Sequence, residues 1–243
     1  MIYIYILLII NKDKGNIINN INIMESELVK IHNTLNFTDR RQLTAEIPEQ
    51  LMVVKHIKPS DIVLEFGGSI GRNTCILSSV LDKSENLVTI EPSPIERQGL
   101  QKNRQLNGFN FNIEPCVLSN KPLYSKGWYT FGEEQPNSLK VDNITWTELQ
   151  NKYDLKFNAF VIDNEGNFVE NLKVFPNILE NVNVLTIEHD FNTEEDLQFF
   201  YSTMETNGLK MVDKYMKTDK FGPGMNWTDG LTSDPIFVSV WKK

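Results

Sequence analysis

The sequence predicts an α/β fold in which a mostly parallel sheet carries helices on both faces. Three observations support this. From Asp61 onward, short apolar runs alternate with segments of helical period, the pattern of strands joined by crossover helices. The first run breaks into a glycine-rich turn, Glu65-Phe66-Gly67-Gly68-Ser69-Ile70-Gly71, and the second ends on a carboxylate, Glu91, followed by Pro92. The last two runs have no helical pattern between them, so that pair should be antiparallel.

Each element has a local reason. Glu46 to Lys58 reads as a helical lead-in stopped by Pro59. Asp61–Phe66 is the first strand, and Ile70–Leu81 the helix after it. Leu87–Ile90 is the second strand. Its helix, Ile95–Leu106, ends at Asn107-Gly108, residues that tolerate the left-handed conformation. Phe111–Leu118 reads as a third strand. Residues 119–145 hold Gly127, Gly132 and Pro136 without a clear period, and are expected to form a long loop of the kind that is usually functional. Trp146–Tyr153 is a short helix and Ala159–Asp163 the fourth strand. Phe168–Leu179 is helical until Pro176 kinks or ends it. Val184–Glu188 is the fifth strand, and Glu194–Asn207 a helix closed by Gly208. Leu209–Tyr215 and Ile236–Trp241 bring the count to seven strands, around a Gly/Pro-rich loop over residues 217–235.

Composition sets bounds. A chain of 243 residues suffices for one large domain with a buried core. A formal charge of −8 disfavours nonspecific nucleic-acid binding, which uses a basic face. Cys75 and Cys116 lie in apolar runs with no metal-ligand spacing, as expected of buried thiols in a reducing, cytoplasmic setting. Met1–Ile10 is apolar but short, since a membrane-spanning helix takes about twenty residues. It also lacks a basic flank and a small-residue cleavage site, so neither a transmembrane segment nor a signal peptide is expected. Asn16–Ile23 shows no core-forming period. Residues 1–23 are therefore expected to be a disordered or loosely attached extension. Residues 24–243 form the single domain, with a helical lead-in over 24–58 and a core over 59–243.

A strand, a glycine turn and a second strand ending on an acid are how a Rossmann-like domain holds a nucleoside-bearing cofactor. Glycines admit the ligand close to the backbone, and the acid takes the ribose hydroxyls. A dinucleotide site uses G-x-G-x-x-G to seat a pyrophosphate on a helix N-terminus. Here the spacing is E-x-G-x-x-x-G, from Glu65 to Gly71, without a third glycine at the dinucleotide spacing. That form suits S-adenosylmethionine, which has no phosphates to cradle. Glu91 should accept both ribose hydroxyls; the competing reading is a first-turn carboxylate for the helix after Pro92. Gly67, Gly68, Ser69 and Gly71, with Pro92, should surround the ribose and methionine portion. Glu65 should reach the cofactor through water or order the loop. Val117, Leu118 and Ser119 should wall the adenine.

A second constellation stands at the carboxyl ends of the fourth and fifth strands: Asp163-Asn164-Glu165-Gly166 and Glu188-His189-Asp190. With the glycine turn, with Ile90-Glu91-Pro92 and with Leu100–Asn107, these segments resemble the FkbM-type methyltransferase family over about residues 60–190. The D-x-E-G turn at its distance downstream is the specific part of the likeness. Two places depart from the family pattern: Gly68-Ser69 stand where it has Ala-Asn, and Val161 where it has lysine. The resemblance implies a class I methyltransferase sheet finished by an antiparallel hairpin, S-adenosylmethionine as cofactor, and O-methylation of a sugar or other small-molecule hydroxyl. His189 is the first candidate for general base, because imidazole titrates near neutral pH; packing at the strand end is the competing reading. Asp163 is the alternative base and also a cofactor contact. Glu165, Glu188, Asp190 and Trp227 are expected at the substrate, Trp227 by stacking on a sugar face. Hard oxygen ligands at Asp163, Glu188 and Asp190 suit magnesium, but no metal is expected. The competing functions are a methyltransferase for nucleic acid or protein, and a non-catalytic interaction subunit.

Overall fold

The computed structural model describes residues 15–217 and 232–243. Three helices lead in: α1 (Gly15–Thr34), α2 (Arg40–Leu43) and α3 (Ile47–His56). The alternating part follows as β1 (Val63–Phe66), α4 (Arg72–Val80), β2 (Leu87–Ile90), α5 (Pro94–Leu106) and β3 (Asn112–Glu114). Four short strands come next: β4 (Val117–Leu118), β5 (Leu123–Lys126), β6 (Tyr129–Phe131) and β7 (Leu139–Val141). After them come β8 (Asn143–Ile144), α6 (Trp146–Tyr153), β9 (Ala159–Ile162), α7 (Phe168–Val174) and β10 (Val184–Glu188). The described chain ends with α8 (Glu194–Thr206), β11 (Lys210–Met216) and β12 (Ile236–Lys242).

The main sheet has seven strands in the order β11-β12-β10-β9-β1-β2-β3. β1 pairs parallel with both β2 and β9, so strand order reverses beside it. β12 runs antiparallel between β10 and β11, which is the expected C-terminal hairpin of a Rossmann-like α/β fold. Side chains alternate between two cores. Leu64, Phe66, Phe160, Ile162, Leu185 and Ile187 pack toward α6, α7 and α8. Val63, Ala159, Val161 and Val184 pack toward α1, α3 and α4 on the other face. Helix starts follow their caps. Ser93 and Thr193 accept from backbone N–H groups of α5 and α8, and Thr145 with Glu148 forms a capping box on α6.

Several boundaries differ from the sequence reading. The third strand stops at Glu114, because Pro115 has no N–H to donate to a ladder. The chain then leaves the sheet, and β4 pairs parallel with β8 instead. Residues 119–145 are not a plain loop; β5, β6 and β7 form a small antiparallel sheet in the order β6-β5-β7. Its tight hairpin at Gly127 uses a positive φ of 62°. α7 ends before Pro176. α1 already begins at Gly15, within the stretch that shows no core-forming period. Cys75 is buried, but Cys116 is only half-buried. Residues 1–14 of the expected extension lie outside the described residues, as do Trp227 and most of its loop. Among the described residues, no helix is long and apolar enough to cross a membrane.

Candidate active site

At the end of β1 the chain doubles back over β2, where Gly67 N and Gly68 N both donate to the Ile90 carbonyl at 3.0 Å. Gly67 has φ +88°, and a Cβ there would lie 1.7 Å from the carbonyl oxygen of Asp163. Only glycine allows the turn to press against the end of β9 in this way. The next residue, Ser69, donates its N–H to Glu91 Oε2 at 2.7 Å, and Ser93 donates its own to Glu91 Oε1 at 2.7 Å. Both carboxylate oxygens are thus fixed by the backbone, and each keeps a lone pair for another donor. The first-turn alternative is filled by Ser93, whose hydroxyl caps α5. Glu91 is 6 % exposed, yet it lines a cavity of ≈ 810 Å³. Burial pushes its pKa up to about 7.

Pro92, Val117, Leu118, Ser119 and Asn120 form one side of this cavity, with Gly67 and Ser69 on its floor. Trp128 and Phe131 of the small sheet line it from above. Glu65, Gly68 and Gly71 do not line it; for Gly68 and Gly71 this corrects the expected ligand contact, while Glu65 was expected to act through water or by ordering the loop. Glu65 is 1 % exposed and accepts from Thr74 Oγ1 at 2.6 Å, tying β1 to α4, and burial raises its pKa to about 8. A Cβ at Gly68 would meet Thr89 Oγ1 at 2.3 Å, and one at Gly71 would meet Leu100 Cδ1 at 2.9 Å. These glycines serve close packing of strand and helix.

The far end of the cavity is acidic. Asp163, Glu165 and Glu188 line it, and Asp190 stands just behind. Carboxylate oxygens of Asp163 and Glu188 lie within 4.8 Å of one another, so the charge on each opposes the other. Burial raises the pKa of both, and pushes Asp190 up to about 8. Two further acids come from α3 and its cap, Glu49 and Glu46, which sequence reasoning did not single out. A carboxylate in the first turn of a helix is ordinarily a solvated partner of the helix dipole, so nothing in the sequence marked them. Arg72 Nη1 meets Glu46 Oε1 at 2.6 Å, and its Nη2 donates to Gln42 Oε1 at 2.9 Å.

His189 is not in this cavity. Along β10, Val184 packs on the α3 side while Leu185 and Ile187 pack on the α8 side. By the same alternation Glu188 faces the cavity, and His189 enters the opposite core beside Phe191, at 5.2 Å between ring centroids. The imidazole is 2 % exposed. The Trp241 indole, which can only donate, gives its hydrogen to Ser239 Oγ at 2.7 Å. The serine hydrogen then serves His189 Nε2 at 2.6 Å, and Nδ1–H serves Asp234 Oδ2 at 2.6 Å. Burial lowers the imidazole pKa and keeps the ring neutral. Both nitrogens are committed, so His189 has no route to a substrate proton. The packing alternative is the one the fold realises.

No protein-family model matches the chain, and no curated protein does. Among solved structures it is similar to an O-methyltransferase from Bacillus cereus in complex with SAH. Identity there is 14 %, over 97 % of this chain and 94 % of that one, with a TM-score of 0.49. A ribosomal protein L11 methylase from Lactobacillus delbrueckii subsp. bulgaricus matches at 10 % identity over 80 % of this chain and 76 % of that one, TM-score 0.47. A tRNA (m1A58) methyltransferase from Aquifex aeolicus matches at 15 % identity over 89 % and 75 %, TM-score 0.46. Likenesses this distant leave the function to the site itself.

Proposed function

We propose that this chain is an S-adenosylmethionine-dependent methyltransferase of the FkbM type that transfers a methyl group to a hydroxyl of a sugar or other small molecule. The observation that carries the reading is the Glu91 carboxylate. It is held by Ser69 N–H and Ser93 N–H on the wall of a cavity whose floor is the glycine turn. A cavity of ≈ 810 Å³ is within the usual size of cofactor sites, and the apolar pair Val117 and Leu118 suits an adenine face. In this reading Glu91 takes the ribose hydroxyls and Gly67 leaves room for the methionine portion. When bound, S-adenosylmethionine supplies a methyl group already activated by positive sulfur.

The chain's own contribution is position and proton handling. Holding the acceptor oxygen in line is worth roughly 7–11 kcal/mol in favourable cases. Asp163 takes the role of general base: it lines the cavity, burial raises its pKa, and the Glu188 carboxyl stands beside it. Glu165 binds acceptor hydroxyls at the acidic end of the cavity, and Trp128 and Phe131 cover the apolar face of the acceptor. Among the described residues the cavity is lined by eight carboxylates against Arg72 and Lys121, which supports a neutral or cationic acceptor over a polyanion such as nucleic acid.

The test is thermal unfolding with S-adenosylhomocysteine, with NAD as control. Saturation near 100 times Kd should add about 2.7 kcal/mol, roughly 5–10 °C at this size. Glu91→Ala should abolish the shift, and Asp163→Asn should keep donor binding while lowering turnover by a factor of about 10²–10⁴. A shift with NAD, or none with either ligand, would overturn the proposal.

A further inference from the structure

Asp163, Glu188 and Asp190 each offer a carboxylate oxygen, and the three oxygens lie within 4.8 Å of one another. Oxygens on opposite sides of a calcium-sized ion, bound at about 2.3–2.6 Å, are separated by about 5 Å; on magnesium at about 2.1 Å they are about 4 Å apart. The three groups are delivered by rigid stations, the end of β9 and the end of β10, so they converge without loop rearrangement. Two independent features mark this end of the cavity as incomplete. Asp190 Oδ2 is buried without a hydrogen-bond partner. So is Oε2 of Glu49, a residue only 6 % exposed that lines the same cavity, with its charge felt at Glu188. The nearby cation does not hydrogen-bond to them: Nη1 and Nη2 of Arg72 are taken by Glu46 and Gln42, and its Nε is itself buried without a partner, so its charge reaches Asp163 and Glu49 only through space. An unpaired buried carboxylate oxygen is costly, and several of one sign together are more so.

We propose that Asp163, Glu188 and Asp190 form a binding site for one hard divalent cation, with the free oxygen of Glu49 beside it as a partner for ion-bound water. The sequence reading expected no metal, and the paired orphan oxygens reverse that expectation. Binding of the ion stands apart from the methyl-transfer reading. Where that reading also holds, the ion polarises the acceptor hydroxyl, and an Asp163 that ligates through one oxygen keeps the other for the proton.

The experiment uses the full chain, stripped with chelator, in thermal unfolding and calorimetric titration with MgCl₂, CaCl₂ and MnCl₂ against NaCl of matched ionic strength. Putrescine is the ammonium probe, and no methyl donor is present. At least one divalent ion should raise Tm by roughly 5 °C at saturation, and Asp190→Asn and Glu188→Gln should each weaken its binding tenfold or more. Each variant removes a like charge from a crowded pocket, so the metal-free Tm should hold or rise, which separates lost binding from failed folding. No shift with any divalent ion, an equal shift in both variants, or a shift with putrescine alone would overturn the proposal. A parallel titration with S-adenosylhomocysteine keeps the two readings distinct. Ion binding without donor binding sinks the methyltransferase reading only, and the converse sinks the ion site only.

Discussion

Gly67→Ala puts the geometry of the site under direct test. The substitution adds one methyl group at a residue with φ +88°, where the new Cβ would lie 1.7 Å from the Asp163 carbonyl oxygen and 2.8 Å from its carbonyl carbon. Two costs add. Left-handed backbone costs a non-glycine residue roughly 1–2 kcal/mol. Forcing apart two packed backbone segments costs about 1–3 kcal/mol more, because neither of these atoms belongs to a side chain that can swing away. The sum, about 2–5 kcal/mol, corresponds at this length to a fall in Tm of about 4–20 °C. Gly108→Ala is the matched control: φ is +65° and nothing lies within 4 Å of the new Cβ, so it bears the conformational cost alone. Its Tm should fall by about 2–8 °C, under half the expected drop of Gly67→Ala. Thermal unfolding of both variants beside the parent measures the difference. Equal drops would refute the close approach of the glycine turn to the end of β9, and with it the placement of Asp163 in the cavity.

Two further outcomes are expected. His189→Phe strands Asp234 Oδ2 and leaves the Ser239 hydroxyl hydrogen without its acceptor, at about 1–3 kcal/mol each, so it should lower stability by chemical denaturation. It should leave the pH profile of methyl transfer unchanged, and a lost basic limb would return His189 to catalysis. Glu65 has a folded pKa of about 8 against 4.5 for the model carboxyl, a raised value, so its contribution to stability is complete below about 4.5 and is lost as pH rises through 8. Glu65→Gln should therefore flatten the decline of Tm between about pH 4.5 and pH 8, and parallel curves for parent and variant would count against the buried, protonated carboxyl.

Much of the framework was legible because it rests on local signals. β2, α6 and β10 have the boundaries read from the sequence, each being a continuous apolar run or a capped helix with a clear stop. The antiparallel hairpin followed from a missing crossover helix. The small sheet over 123–141 was not legible, since strands of three or four residues are too short to show alternation. Pro115 was a visible interruption, but only the rearrangement around it reveals that β4 changes partner.

The site divides along the same line. Gly67 and Glu91 stand at the ends of adjacent parallel strands, and sequence spacing alone places them together once β1 and β2 are paired. The choice between His189 and Asp163 was beyond the sequence. It depends on which core the residue just beyond β10 enters, and on Ser239, Trp241 and Asp234 arriving from a distant segment. Glu46 and Glu49 join the acids only because α3 packs against β10 and β12, which brings both onto the same cavity. The sequence by itself determined the alternating fold and the strand-end positions of its acids, since backbone period and hydrophobic burial act locally. Only the tertiary structure decided which of those acids share one cavity, because that depends on which faces the packed elements turn toward each other.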